Sequence, residues 1–213
     1  MKYEVTYYSK LEEKLNIYSH GFGLLLSLIA FPFLIIKACQ SNNSIVILSF
    51  VIYGVSMIVL YTASTLFHSA ENRKYRYYLN IFDHSAIYIL IAGTYTPVAL
   101  VVLQGTLGWI VFWGTWGIAL FGVLYKIFFI GKFQIVSTLT YIVMGWMILF
   151  AINTLFDKFT VSGLWLLAIG GVLYSIGALF FAINKIPFNH AIFHVFVLLG
   201  SLFHFIALYT YVL

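Results

Sequence analysis

Seven long apolar stretches, joined by short polar ones, constrain this chain more than any other feature of its sequence. Only 8% of its 213 residues are charged, against about 25% in typical soluble domains. A helix that crosses a bilayer needs about 20 apolar residues, and this criterion selects residues 16–37, 45–67, 81–103, 109–127, 134–153, 161–183 and 190–213. The sequence therefore predicts an all-α membrane protein, in which a short segment (1–15) precedes one seven-transmembrane helix bundle (16–213).

Basic residues are distributed unequally between the two ends of the predicted bundle. Nine of the eleven lysines and arginines fall in the N-terminal segment or in the loops on its side, whereas Lys37 and Lys158 fall on the other side. Because positive residues favour the cytoplasmic side, we expect a cytoplasmic N-terminus and a C-terminus outside. This orientation also accounts for the net charge of +5, so the charge gives no indication of nucleic-acid binding.

Small residues in two of the stretches predict close packing between helices. Membrane helices approach one another most closely where they carry glycine, alanine or serine. The candidates in the fourth and sixth stretches are Gly114, Gly117, Gly170, Gly171, Ser175 and Gly177.

The seventh stretch opens with a pair of histidines, His190 and His194. Residues four apart lie on one face of a helix, about 6 Å apart at Cβ, so both imidazoles can reach one ion. Ionisable residues are rare inside membranes and are usually functional there. A His-x-x-x-His pattern is weak on its own, and this one lacks the glutamate of the His-Glu-x-x-His zinc proteases.

Further polar residues fall at the same depth, near the predicted cytoplasmic face. His68 directly follows the second stretch, in the last turn of the predicted helix, and Asp83 lies at the start of the third. Cys39 is the sole cysteine, so a thiolate cluster is excluded. Three imidazoles with one open position are typical of catalytic zinc, which lowers the pKa of a bound water molecule to near 7. We therefore predict Zn²⁺ held by His68, His190 and His194.

Two more residues have predicted roles beside this metal. Asp83 is placed to accept a hydrogen bond from the bound water and to act as a general base. Ser64 lies one turn before His68 on the same helix face, where its hydroxyl can orient a ligand or the substrate.

The other three histidines have a structural interpretation. A single histidine in a membrane helix is more often hydrogen-bonded to a neighbouring helix than bound to a metal, and we expect this of His20 and His84. His204 lies ten residues beyond His194, which places it about 15 Å deeper along the helix. It cannot reach the same ion, although it can line a cavity that leads there.

Taken together, these residues resemble the bacterial hemolysin III-like proteins, relatives of the progestin and adiponectin receptors (the PAQR superfamily). The motifs that carry the resemblance, which covers essentially the whole chain, are Ser64-x-x-x-His68, Asp83, His190-x-x-x-His194 and Asn16-x-x-Ser19-His20. The resemblance implies a zinc ion at the three histidines, with Asp83 contacting the zinc-bound water, in a protein of the bacterial plasma membrane. It also implies a distant similarity to alkaline ceramidases, which hydrolyse a lipid amide. The short N-terminal segment departs from the eukaryotic receptors, so hormone reception does not carry over.

Three functions follow as hypotheses. The first is a zinc-dependent hydrolase of a lipid amide or ester inside the membrane, in which Asp83 transfers the proton and Ser64 stabilises the oxyanion. The second is a receptor-like sensor with a structural zinc ion, which would normally need four protein ligands. The third is a cytolytic pore, which needs a continuous polar lining. A membrane lipid is the expected substrate or ligand; its identity, the oligomeric state and the choice between zinc and another divalent metal stay open.

Overall fold

The computed structural model describes residues 5–132, 134–183 and 185–213. Seven of its helical segments are long and apolar enough to cross a membrane. The elements are α1 (Lys10–Gln40), α2 (Ser44–Ser69), α3 (Arg73–Pro97) with a π-helix (Val98–Leu103), α4 (Gly105–Phe129), α5 (Gln134–Gly145) with a 3₁₀ helix (Met147–Ala151), α6 (Ile152–Lys158), α7 (Val161–Ala182) and α8 (Asn189–Tyr211). The fifth span runs from α5 to α6. No strand occurs among the described residues, so the predicted all-α, seven-span fold is confirmed.

Two spans begin well before the predicted start, α1 by six residues and α3 by eight. Helix α1 begins at Lys10 rather than at residue 16, and the Ser9 side chain caps it. Helix α3 begins at Arg73 rather than at residue 81, and Asn72 caps it. A capping side chain starts a helix by accepting backbone N–H groups, whereas the apolar count overlooks the polar turns that follow. Residues 1–4 of the predicted segment 1–15 lie outside the described residues.

The bundle exposes many large apolar side chains on its outer surface and buries several polar ones inside, beside a hydrophobic core. Helix α8 packs on α1 and α7, α2 packs on α1 and α3, and α5 contacts α3, α4 and α7. Large apolar side chains such as Phe121 and Phe150 are 73% and 90% exposed, while Asn16, Arg76 and Lys126 are buried. So large an exposed apolar surface is expected against lipid rather than water.

The glycines of α4 correct one prediction about packing. A Cβ atom at Gly117 would meet no described atom within 4 Å, and one at Gly114 would make an ordinary contact with Met147. The close approach occurs instead at Gly122, where a Cβ would overlap the ring of Tyr88 on α3. The prediction for α7 holds at Gly170, which lies against the His204 ring.

Replacing Gly122 by alanine is therefore expected to lower the free energy of unfolding by about 1–3 kcal/mol, because the added methyl overpacks the helix interface. Gly117→Ala on the same helix is the matched control, because the added methyl meets no described atom within 4 Å; it should leave the stability unchanged or raise it by up to about 1 kcal/mol through the higher helix propensity of alanine. Thermal unfolding of both variants in detergent measures the difference. Equal losses at the two positions would contradict this assignment of the α3–α4 contact.

Candidate metal site

Three histidines meet near one end of the bundle. His68 lies in the last turn of α2, while His190 and His194 lie in the first two turns of α8. All three are buried, and one ring nitrogen from each lies within 4.8 Å of the others. The structure thus brings together the three residues that the sequence predicts as metal ligands.

The spacing and chemistry of this histidine group fit a metal such as zinc. Nε2 of His68 lies 3.1 Å from Nε2 of His190. Ligand atoms 2.0–2.1 Å from a tetrahedral zinc ion are about 3.3 Å apart. In the described part of the chain, three imidazoles form the group that could hold an ion, which leaves one tetrahedral position open. The residues present therefore fit a three-histidine metal site.

Each of these histidines has a polar partner at its outer nitrogen. Nδ1 of His68 lies 2.7 Å from a Glu13 carboxylate oxygen, and Nδ1 of His190 lies 2.9 Å from the Tyr8 hydroxyl. Nδ1 of His194 lies 3.2 Å from the Ser19 hydroxyl. Such partners fix the tautomer and ring orientation of metal-binding histidines. The Nδ1 atoms are occupied, so the Nε2 atoms are the ones available to an ion.

Glu13 is itself held by Arg76. The two side chains form an ion pair, and the buried guanidinium also donates to the carbonyls of Phe67 and Ala70 at the end of α2. A carboxylate paired with arginine stays ionised and can only accept hydrogen bonds, so His68 carries its proton on Nδ1. The sequence argument counted Arg76 as a loop charge, but the structure places it inside the bundle.

Tyr8 belongs to the segment before α1, outside the membrane-spanning helices. Burial, together with the nearby carboxylates, raises the pKa of its hydroxyl above the usual range for tyrosine. The hydroxyl is therefore protonated at neutral pH and keeps an oxygen lone pair, which can accept the Nδ1–H of His190. In that arrangement the Nε2 lone pair of His190 is free for a metal.

Sequence reasoning missed Tyr8 and Glu13 altogether. One signal was available, because Glu13, Asn16 and Ser19 recur every three residues and so lie on one face of α1. The Nδ2 atom of Asn16 lies 3.3 Å from His68 Nδ1. The sequence argument used Asn16 and Ser19 only as family markers, without assigning them a role.

Asp83 and Ser64 lie beside the histidine group, on the apolar side. Both are buried, the carboxyl group of Asp83 interacts with the Ser64 hydroxyl, and both line a cavity that His194 also lines. His20 completes this side: its Nδ1 lies 2.7 Å from Ser64 Oγ, and its ring stacks on His194 with centroids 3.4 Å apart. His20 thus bonds to a neighbouring helix, as predicted.

The cavity beside Asp83 has a volume of about 120 Å³ and mostly apolar lining. A second apolar cavity, of about 380 Å³, continues towards Val161 and Trp165 at the start of α7. The residues that line both cavities are Thr94, Tyr95, Gly145, Trp146, Gly171 and His204. His204 also bonds to the Leu167 carbonyl of α7, at 3.0 Å. It lines both cavities, the role that the sequence analysis left open for it.

The family model for "Haemolysin-III related" proteins matches residues 8–205. The chain belongs to this family. The resemblance to hemolysin III-like proteins of the PAQR superfamily, drawn from the sequence motifs, is thereby confirmed.

Curated relatives agree with the family match over nearly the full chain. "Hemolysin-3" of Bacillus cereus is 48% identical over 202 residues, 95% of this chain and 92% of that protein. The "Hemolysin-3 homolog" of Bacillus subtilis (strain 168) is 50% identical over 190 residues, 89% of each chain. A human relative, "Monocyte to macrophage differentiation factor", is 29% identical over 218 residues, 99% of this chain and 87% of that protein. With its seven apolar spans, this family member is a multi-pass integral membrane protein.

The Glu13–His68 contact leads to a prediction about metal affinity. In Glu13→Gln the ring can still donate to an amide oxygen, but the negative charge behind it is lost. Removing such an outer partner typically weakens metal binding by about 10–100-fold, and we expect this range. Competition with a calibrated chelator measures the affinity independently of any activity.

Glu71→Gln is the matched control for this experiment, because Glu71 is exposed and its loss should leave the affinity unchanged. Metal-free unfolding of both variants reports whether Glu13→Gln is still folded. A folded Glu13→Gln protein with wild-type metal affinity would show that Glu13 only joins α1 to α2 and α3 and does not contribute to metal binding.

Proposed function

We propose that this protein is a zinc-dependent hydrolase that cleaves an amide or ester linkage of a membrane lipid. One observation carries the proposal: His194 of the histidine group, the Asp83 carboxyl and the Ser64 hydroxyl line the same apolar cavity. Concave apolar sites with a few convergent polar groups are typical of small-molecule binding. An acyl chain suits the cavity, and the polar groups suit a carbonyl linkage.

The ligands of the zinc ion would be His68, His190 and His194. When bound there, zinc supplies Lewis acidity to a carbonyl oxygen and lowers the pKa of a water molecule to near 7. An all-imidazole donor set without cysteine favours zinc over softer metals such as copper(I). The outer contacts from Tyr8 and Glu13 support this assignment, because they orient two of the rings before any ion arrives.

The remaining steps belong to the side chains of the chain itself. Asp83 would accept the proton of the attacking water and return it to the leaving amine or alcohol. Ser64 would donate a hydrogen bond where negative charge develops on the carbonyl oxygen. The apolar side chains around the cavity would hold the acyl chain and exclude bulk water, which strengthens both polar interactions.

We place this site near the cytoplasmic face. The contacts of Tyr8 and Glu13 with the histidines indicate that the site lies at the N-terminal end of the bundle. The excess of lysine and arginine at that end supports a cytoplasmic position for it. A reporter fused ahead of Met1 checks this orientation.

The direct test is fatty-acid release by the protein reconstituted in liposomes. Lipids with amide and ester linkages are supplied in parallel, and released acid is detected by mass spectrometry. We expect at least one linkage class to be cleaved by zinc-loaded protein and not after chelation, with Cys39→Ser, exposed and outside the site, as an unaffected control. If purified, zinc-loaded protein cleaves no lipid but unfolds at lower temperature after chelation, the structural-zinc sensor is favoured instead.

The cytolytic alternative has weaker support from the geometry. A pore needs a continuous polar stripe or rings of charge, whereas the two joined cavities are lined mainly by apolar side chains. Dye leakage from liposomes that persists in His190→Ala would revive the pore.

A further inference from the structure

A separate polar cavity of about 270 Å³ lies at the same end of the bundle as the histidine group. The lining residues that carry its polar groups include Tyr8, Asn80, His84, Lys126, Gln134 and Asn189. No acidic residue of the described chain lines it. Its composition is thus opposite to that of the apolar cavity beside Asp83, and neither the histidine group nor the proposed chemistry uses it.

Lys126 is the central feature of this polar cavity. It is 1% exposed, and no carboxylate oxygen of the described residues lies within 4.0 Å of its ammonium group. Its charge interacts with Asp83 at longer range. Burying a charge without a close partner costs several kcal/mol, so a buried lysine facing a cavity is expected where an anion binds.

Helix α3 presents two more unsatisfied polar groups to the same cavity. Asn80 and His84 lie one turn apart, and both line the cavity. Asn80 is 7% exposed, and Asn80 Oδ1 and His84 Nδ1 are buried with no hydrogen-bond partner among the described residues. Rotation of the Asn80 amide about its terminal bond exchanges the carbonyl oxygen and the NH₂ group, so Asn80 can turn two N–H donors inwards. With Lys126, these groups provide donors for an anion.

Tyr8 connects this cavity to the histidine group, because its side chain lines the cavity while its hydroxyl bonds to His190. The neighbouring residues Asp83 and His84 line the apolar and the polar cavity respectively. The histidine group therefore lies between an apolar cavity and a cationic one. A lipid with its acyl chain in the first would direct its polar end towards the second.

We propose that the Lys126 cavity binds an anionic group, a carboxylate or phosphate, carried on the head of the lipid that occupies the apolar cavity. This inference rests on the proposed function and narrows its substrate class to lipids with a negative charge a few atoms from the scissile carbonyl. N-acyl amino acids and acidic phospholipids have this chemistry. An uncharged lipid amide would leave Lys126 unpaired.

The test measures binding without hydrolysis, so that it is independent of the proposed reaction. Hexadecyloxyacetate and 2-hexadecyloxyethanol share a chain and differ in the carboxylate, and neither has a carbonyl linkage to cleave. Thermal unfolding of the purified protein, titrated with each, gives the two affinities. We expect the carboxylate to bind about tenfold to hundredfold more tightly, as charge-assisted hydrogen bonds typically allow.

Two lysine-to-methionine substitutions show whether the preference for the carboxylate arises in the polar cavity or elsewhere. Lys126→Met should abolish the preference for the carboxylate, and Lys132→Met, an exposed lysine in the following turn, should retain it. Removal of a buried unpaired charge should not lower the stability of the ligand-free protein. If Lys126→Met fails to fold, His84→Ala provides a second test, with a smaller loss of preference.

Three results would overturn the proposal. The first is equal affinity of wild type for the charged and neutral lipids. The second is a preference that survives Lys126→Met, which would place the carboxylate on the metal. The third is Lys126-dependent stabilisation by inorganic phosphate without any preference between the lipids, which would make the cavity a free-anion site. These measurements do not involve hydrolysis. If the protein proves to cleave no lipid, the proposed function fails, but the binding results still decide whether the Lys126 cavity holds an anion.

Discussion

Alanine in place of His190 or His194 is expected to remove the metal from the detergent-purified protein. The wild type should contain about one zinc ion per chain, as a three-histidine site requires, and each variant close to none. Each variant keeps only two of the three imidazole ligands, and two imidazoles alone are not expected to retain the ion against a chelating buffer. Elemental analysis of the purified proteins measures the ratio directly.

His204→Ala is the matched control for metal content, because His204 is also on α8 but bonds to the Leu167 carbonyl instead. Its zinc content should equal that of the wild type. A folded wild type that contains no metal, even after reloading, would contradict the site. The 3.1 Å contact between His68 and His190 would then be a hydrogen bond between two helices.

Asp83→Asn is expected to reduce lipid turnover by about 10²–10⁴-fold, the usual contribution of a general acid–base group. Asparagine has nearly the same shape but cannot take up the proton of water, so the fold and the metal should both be retained. The measurement is the rate of fatty-acid release at saturating lipid, with zinc content determined on the same sample. Asp157→Asn, an exposed residue of α6, controls for the loss of one carboxylate.

Full lipid turnover by a zinc-loaded Asp83→Asn protein would remove Asp83 from the chemistry. Loss of turnover together with loss of zinc would instead show that the carboxylate supports the histidine group. Measuring both quantities on one preparation separates these outcomes.

Hydropathy was sufficient to predict the seven spans, because few structures other than a helix bundle in a membrane keep so many apolar residues away from water. The convergence of His68 with His190 and His194 was also predictable, since helix ends at one membrane face share one depth. Neither argument uses the details of side-chain packing. Both depend only on helix length and on which side each loop lies.

Hydropathy and helix depth could not predict which side chains contact the outer nitrogens of the histidines. Tyr8 and Glu13 lie in or beside the polar first turns of α1, which the apolar count placed before the helix. Membrane topology alone already explained the charges of Arg76 and Lys126, so nothing suggested that these side chains turn inwards. Gly117 shows a related limit, because a helix that is apolar on all sides has no periodicity to indicate which face packs.

The pairing of Tyr8 with His190 has a consequence for how the protein is made. These residues lie 182 positions apart, and His68 and His190 lie 122 apart, so the site joins residues on and before the first two spans to α8, which is synthesised well after them. A ribosome must release α8, and the membrane must receive it, before two of the three ligands, His190 and His194, exist. Metal uptake must therefore follow the synthesis of α8, and chains truncated before α8 would reach the membrane without the ability to hold the ion.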